Sequence, residues 1–297
     1  MKRKSNLLGI FALTAVIVLS FSLFSCGEED TFKGPSIPKI SVPKPAEINA
    51  DIAGAVTPAI NSDKEAFDFL TSVFSSAVSV LQMPDMSIIE DILNEIMSGI
   101  GGPMYNQRRV YTDSQRIDIN FADYAKGLKD YGVDLKGRIT GSFTYSFNDI
   151  TYATSVNGNV NADCSLGYDI SKNSLIDTND VFVMDVKFKA NGSMSMKMSE
   201  TQEKVSVSAG AAASFAMAYK IAETGEGAKI ILTAGISGST DMDLLAMEEV
   251  DLLMSSLENF NGNVTLAIYD AANVEVYTIK MSLEDLMEYI ETVVENI

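Results

Sequence analysis

The sequence predicts an α+β protein, an antiparallel, curved β-sheet meander packed by amphipathic helices at the N- and C-terminal ends. Three observations carry this reading. From Arg108 to about Ser239 there is no proline, and short runs of residues alternate so that one set of side chains falls on each face of a strand. These runs follow one another without helical stretches between them, the pattern of strands that pair with their chain neighbours rather than of βαβ units. Both ends of the body carry apolar residues at helical spacing, stripes that need a surface to be buried against.

The elements divide the chain into residues 1–25, a leader; 26–60, a tether; and 61–297, a single domain. The leader has a basic start (Lys2, Arg3, Lys4), an apolar run from Leu7 to Leu19, and small or apolar residues up to Ser25. That is the layout of a secretory signal, and the run is short for a membrane span. Four of the prolines fall between Pro35 and Pro45, in GPSIPKISVPKPAE. Proline fixes φ and removes a donor, so this stretch predicts an extended spacer of about 34 Å at roughly 3.1 Å per residue.

A helical pair is expected over 61–103. Ser62-Asp63-Lys64-Glu65 has capping-box form and is followed at helical spacing by Phe67, Leu70, Phe74, Ala77 and Leu81. Pro84 ends this helix, and a second aligns Ile88, Ile89, Ile92, Leu93, Ile96 and Met97 before GIGGP. Residues 104–281 are read as mainly β, with strands in GRITGSFTYSF, DVFVMDVKFKANGSMSMKMS, KVSVSAGAAASFAMAYKI, AKIILTAGISGS, GNVTLAIYD and NVEVYTIKMS. Turns are expected at Asn157-Gly158, Asn191-Gly192 and Gly225-Glu226-Gly227, and a helical insertion near 241–258. The last helix, 282–297, is capped by Ser282 with Asp285 at N3 and lines up Leu283, Leu286, Met287, Ile290, Val293, Val294 and Ile297.

One strand is unusual. In Lys204–Ile221 the large apolar residues share one face, while the other carries Ser206, Ser208, Gly210, Ala212, Ser214, Ala216 and Ala218. A row this small admits another element close to the backbone, so both faces are expected to be covered, by a helix on the small face or by a concave curl of the sheet.

Leu23-Phe24-Ser25-Cys26 resembles the lipobox of bacterial lipoproteins, with Phe24 closer to the relaxed spirochaete form. The resemblance covers residues 1–26 and implies cleavage before Cys26, which then carries palmitate-type acyl chains. The partner it implies is the membrane, and the location the bacterial cell envelope; Glu28, Glu29 and Asp30 favour the outer membrane or cell surface over the inner membrane. Two other readings of Cys26 stay open: a bridge to Cys164, the only other cysteine, and an uncleaved signal anchor. With Cys26 acylated, Cys164 is a small buried hydrophobe.

Charge and composition narrow the function. The chain holds 22 basic and 40 acidic residues, a net charge of −18, which argues against nucleic acid and anionic lipid as partners of the body. There is no histidine, which removes the usual general base and the commonest zinc ligand. No catalytic residue is assigned. Ser36-Ile37-Pro38-Lys39 and Ser41-Val42-Pro43-Lys44 match a Ser-x-x-Lys pattern, but a proline-spaced linker gives neither helix nor burial to activate the serine. A metal site is not assigned either. Met194, Met196 and Met198 alternate on one strand face and are the weak candidates, as thioethers for Cu(I), with core packing the favoured reading. Asn157, Asn159, Asn161 and Asp163, and the nearby Asp177, Asn179 and Asp180, lack the spacing of a calcium loop and read as a solvated strand face and a turn.

The expected function is therefore a non-catalytic binding or structural module at the cell envelope, without a cofactor and with its protein or ligand partner unidentified. One alternative is a carrier of lipid or another hydrophobic ligand held between sheet and helices, a layout similar to half-barrel periplasmic lipoprotein carriers. A carboxylate-based hydrolase is a second.

Overall fold

Alternation builds one large sheet. A computed structural model of the chain describes residues 36–80, 110–123, 125–148, 151, 153–199, 202–243, 260–282 and 284–285. Eight strands, β1 (Val110–Asn120), β2 (Tyr131–Asn148), β3 (Ala153–Asn173), β4 (Val181–Ser199), β5 (Gln202–Lys220), β6 (Gly227–Asp243), β7 (Phe260–Tyr269) and β8 (Glu275–Ser282), pair in chain order, every neighbour antiparallel. The sheet is open, with β1 and β8 at opposite edges. The central strands are long: β3 has 21 residues, about 70 Å of extended chain, where five or six residues are usual.

The register gives the sheet two unlike faces. Ile139, Ala162, Ala190, Ala211 and Ile236 lie side by side, as do Val133, Tyr168, Met184, Met217, Ile230 and Ile268. This apolar face holds two main clusters. One gathers Tyr168, Ile170, Phe182, Met217, Tyr219, Ile230, Leu266, Ile268 and Ile279; the other gathers Ile117, Ile119, Phe121, Ile139, Phe143, Val160 and Ala162 near the β1 edge. The opposite, polar face carries Lys, Arg, Asp, Asn, Ser and Thr at the alternate positions.

The first predicted helix is present as α1 (Asp63–Val80). Ser62 Oγ accepts from the Glu65 amide (3.2 Å), and the Glu65 carboxylate accepts from the Asn61 amide (2.8 Å), so the capping signal works one residue earlier on its return arm. Ala66, Leu70 and Val73 turn inward and join the first cluster. The second helix, most of the insertion near 241–258, and the terminal helix beyond Asp285 lie outside the described residues, although Asp241–Asp243 belong to β6. The start of the terminal helix is visible as a cap: the Asp285 amide donates to Ser282 Oγ (3.1 Å) and the Ser282 amide to Asp285 Oδ2 (2.9 Å).

Two turn expectations are corrected. Asn157-Gly158 lies inside β3 and Asn191-Gly192 inside β4. Gly158 is there for space, since a Cβ on it would collide with the Phe143 ring that crosses from β2. Gly225, at φ +71°, does form the expected β5–β6 turn. Gly137 in mid-β2 takes φ +114°, and a Cβ there would collide with the Asp163 carbonyl, so only glycine fits at this point beside β3.

The larger correction concerns the tether. Residues 36–57 are not a free spacer: they lie along the polar face of the sheet as a strap over β5 and β6.

Candidate functional site

The strap and the groove beneath it are where sequence pattern and geometry converge. The small residues of β5 and β6 form the floor. Gly210 faces the Ser36 carbonyl so closely that a Cβ would come within 2.7 Å of it, and a Cβ on Gly235 would come within 2.8 Å of Ile37 Cγ2. Further along, Ile48 and Ile52 bury themselves on Ala216, Ala218 and Ile231. The row of small side chains is thus explained by what lies on it, an extended proline-rich segment with one short 3-10 turn at Pro45–Glu47 rather than an α-helix.

Proline removes backbone donors, so the strap is held by its carbonyls and by lysines rising from the sheet. The Lys229 ammonium donates to the Pro45 carbonyl (2.8 Å) and to Asn273 Oδ1 (2.9 Å) in the β7–β8 turn. Lys220 donates to the Ala53 carbonyl (2.7 Å), and Lys187 to Ser41 Oγ (3.2 Å). Lys229 is only 6% exposed, and burial pushes its pKa below the ordinary lysine value. From Ser36 beside Gly210 to Ala53 beside Lys220 the strap runs in the direction of β5. It then passes the β5–β6 turn through a parallel bridge, Val56 with Glu226, with the Val56 amide on the Gly225 carbonyl (2.9 Å) and the Gly227 amide on the Val56 carbonyl (3.1 Å). Beyond that point Ile60 and α1 belong to the apolar face. One continuous segment therefore clasps the sheet from both sides.

The sequence singled out other residues, which fall as follows. Cys26 and the cleavage residues Leu23, Phe24 and Ser25 lie outside the described residues. Cys164 is a free thiol on the apolar face, beside the second cluster, with Sγ 3.8 Å from the Arg138 carbonyl. Burial, then the neighbouring Asp163, pushes its pKa up to about 11, so it is an inert thiol at neutral pH. Met194, Met196 and Met198 take alternate register positions opposite Gly158, Val156 and Thr154, and Met196 packs on Val156. Among the described residues no group of three His, Cys, Asp or Glu side chains is placed to hold a metal ion.

Asn157, Asn159, Asn161 and Asp163 are exposed in a row on the polar face, and Asp163 pairs with Lys189 at 2.8 Å. Asp180 sits in the β4 approach and accepts from the Ala222 amide (2.8 Å), which fastens that turn to the next hairpin. Ser41 meets a lysine, though Lys187 and not Lys44. That lysine also pairs with Asp185 (3.3 Å).

What sequence reasoning missed are the partners of the strap: Lys187, Lys220 and Lys229, and the close approaches at Gly210 and Gly235. The row of small residues on β5 was the available signal. No helix among the described residues is long and apolar enough to cross a membrane. Neither family models, nor curated proteins, nor solved structures match the chain.

Proposed function

We propose that the chain is an acyl-anchored lipoprotein of the bacterial cell envelope whose sheet domain is a non-catalytic binding or structural module. Acylated Cys26 is its attachment to the membrane, and more than one acyl chain makes that attachment stable, at about 0.8 kcal/mol per buried CH₂. The observation that carries this reading is the strap. Ser36, ten residues after Cys26, is already fixed on the sheet, so a pull on the anchor is borne by a packed and hydrogen-bonded segment. The domain is mounted, not trailed. Ten residues of extended chain reach about 35 Å at most, which bounds the distance between membrane and sheet.

The finer architecture belongs to the same proposal. The terminal helix, begun by the Ser282–Asp285 cap, covers the apolar face together with α1 and the segment 81–103, giving the α+β layering with helices from both ends.

Membrane fractionation tests the reading: wild-type protein is expected in the membrane fraction with labelled palmitate incorporated, and Cys26→Ser without label and released. A Cys26→Ser chain that still takes up palmitate overturns it.

A second reading, carriage of a lipid or other hydrophobic ligand, is favoured by the extent of the apolar face. It continues from Ile279 on β8 to Ile119 on β1, past the cluster that α1 joins. Native mass spectrometry separates the two, since a carrier retains a lipid mass and a scaffold gives the bare polypeptide.

A further inference from the structure

The polar face is charged out of proportion to the chain. Although the protein is strongly acidic overall, this face and its strap carry about half of the 22 basic residues and about a fifth of the 40 acidic ones. Several cations are neutralised there, Arg138 by Asp118, Lys136 by Asp134 and Lys189 by Asp163. Lys39, Lys44, Arg116, Lys197 and Lys280 are exposed and make no ion pair among the described residues. Val42 is 44% exposed between Lys39 and Lys44 on the outer side of the strap.

The anchor arrives on the same face. Ser36, the first described residue after Cys26, lies on Gly210 in mid-sheet, away from either edge and from α1. A leash of about 35 Å is shorter than the roughly 70 Å length of the central strands. Tethering at such range raises the local concentration of whatever the face meets, so individually small charge attractions add up.

We propose that the polar face is a docking surface for an anionic lipid surface: the domain lies with strap, β2 and β4 toward the headgroup phosphates and α1 toward solvent. This rests on the acyl-anchor reading and refines it, because the anchor sets the distance while the cations set the orientation. Each lysine or arginine near an anionic bilayer adds to the attraction, and the effect fades beyond a Debye length, about 8 Å at physiological salt.

The test places a fluorophore on either side of the purified acylated protein, at Asn159→Cys on the polar face or Thr71→Cys on α1, with Cys164→Ala in both. Energy transfer is read to a headgroup acceptor in vesicles of phosphatidylcholine with or without phosphatidylglycerol. The expected result is at least threefold more transfer from position 159 than from 71 in anionic vesicles at low salt. That gap closes in high salt and in the triple variant Lys39→Glu/Arg116→Glu/Lys197→Glu. Equal transfer from both positions, more from 71, or a gap indifferent to salt and to the triple variant overturns the proposal. Protein that does not stay on phosphatidylcholine vesicles defeats the acyl anchor instead, and the comparison in anionic vesicles still decides the face.

Discussion

Lys229 is a costly residue to bury, and its place is intelligible only through the strap. An ammonium 6% exposed gives up hydration that the Pro45 carbonyl and Asn273 return in part. Lys229→Ala removes both bonds and leaves the Pro45 carbonyl facing an emptied site, so it is expected to cost about 1–3 kcal/mol in urea unfolding. An unchanged midpoint would mean that the strap is not held there. Gly235→Val acts from the floor of the groove. Its new side chain meets Ile37, and overpacking of this kind costs about 1–3 kcal/mol; hydrogen exchange at the Val56 and Gly227 amides, which form the strap's bridge, is expected to rise with it. At Cys164 the prediction concerns pH. The thiol holds its proton up to about 11 in the fold against an ordinary 9.0, so the stability this gives is complete below pH 9 and is lost as pH rises through 11. The site is partly open to water, so the loss is about 1 kcal/mol. Thiolate absorbance of a Cys26→Ser protein, titrated with pH, should show a midpoint near 11, and one near 9 would contradict the half-buried placement.

At the scale of elements, the strands interlock through side chains more than through turns. Phe143 on β2 lies over Gly158 on β3, its register partner. Gly158→Ala is therefore expected to destabilise by about 1–3 kcal/mol, and Phe143→Leu to relieve part of that cost, a coupling that a double-mutant cycle in urea measures. On α1, Leu70→Ala opens a cavity in the first cluster and should cost about 2–5 kcal/mol, while Thr71→Ala, on the exposed side, should cost little. Period-two alternation made the meander legible, because each strand's pattern is written within its own few residues. The capping signals at Ser62 and Ser282 were legible for the same reason. Asn-Gly misled, since a glycine that makes room for a ring across the sheet looks the same in sequence as one that turns the chain. The strap was only half legible. Its prolines correctly indicated extended chain and the small face of β5 correctly indicated a covering element, but that they are the two sides of one contact depends on pairing residues some 170 positions apart, as Lys220 and Ala53 are.

For the whole molecule, the sheet separates apolar from polar across eight strands, and one N-terminal segment, from Ser36 through α1, packs on both of its faces. The surface ion pairs, Lys136 with Asp134 and Arg138 with Asp118 among them, are exposed and contribute little to stability; their consequence is electrical, in the sidedness of a very acidic chain. Release of the strap should therefore loosen the polar face before it unfolds the sheet, and the Gly235→Val variant is expected to keep its β-type circular dichroism at temperatures below its lowered melting point. The central claim, that a lipid on Cys26 is joined through the strap to the domain, is tested most directly by the intact mass of the protein extracted from membranes. The predicted mass is that of a chain beginning at Cys26 and carrying a diacylglyceryl group, with or without a further acyl chain. The full polypeptide from Met1, unmodified and recovered from the cytosol, would contradict it.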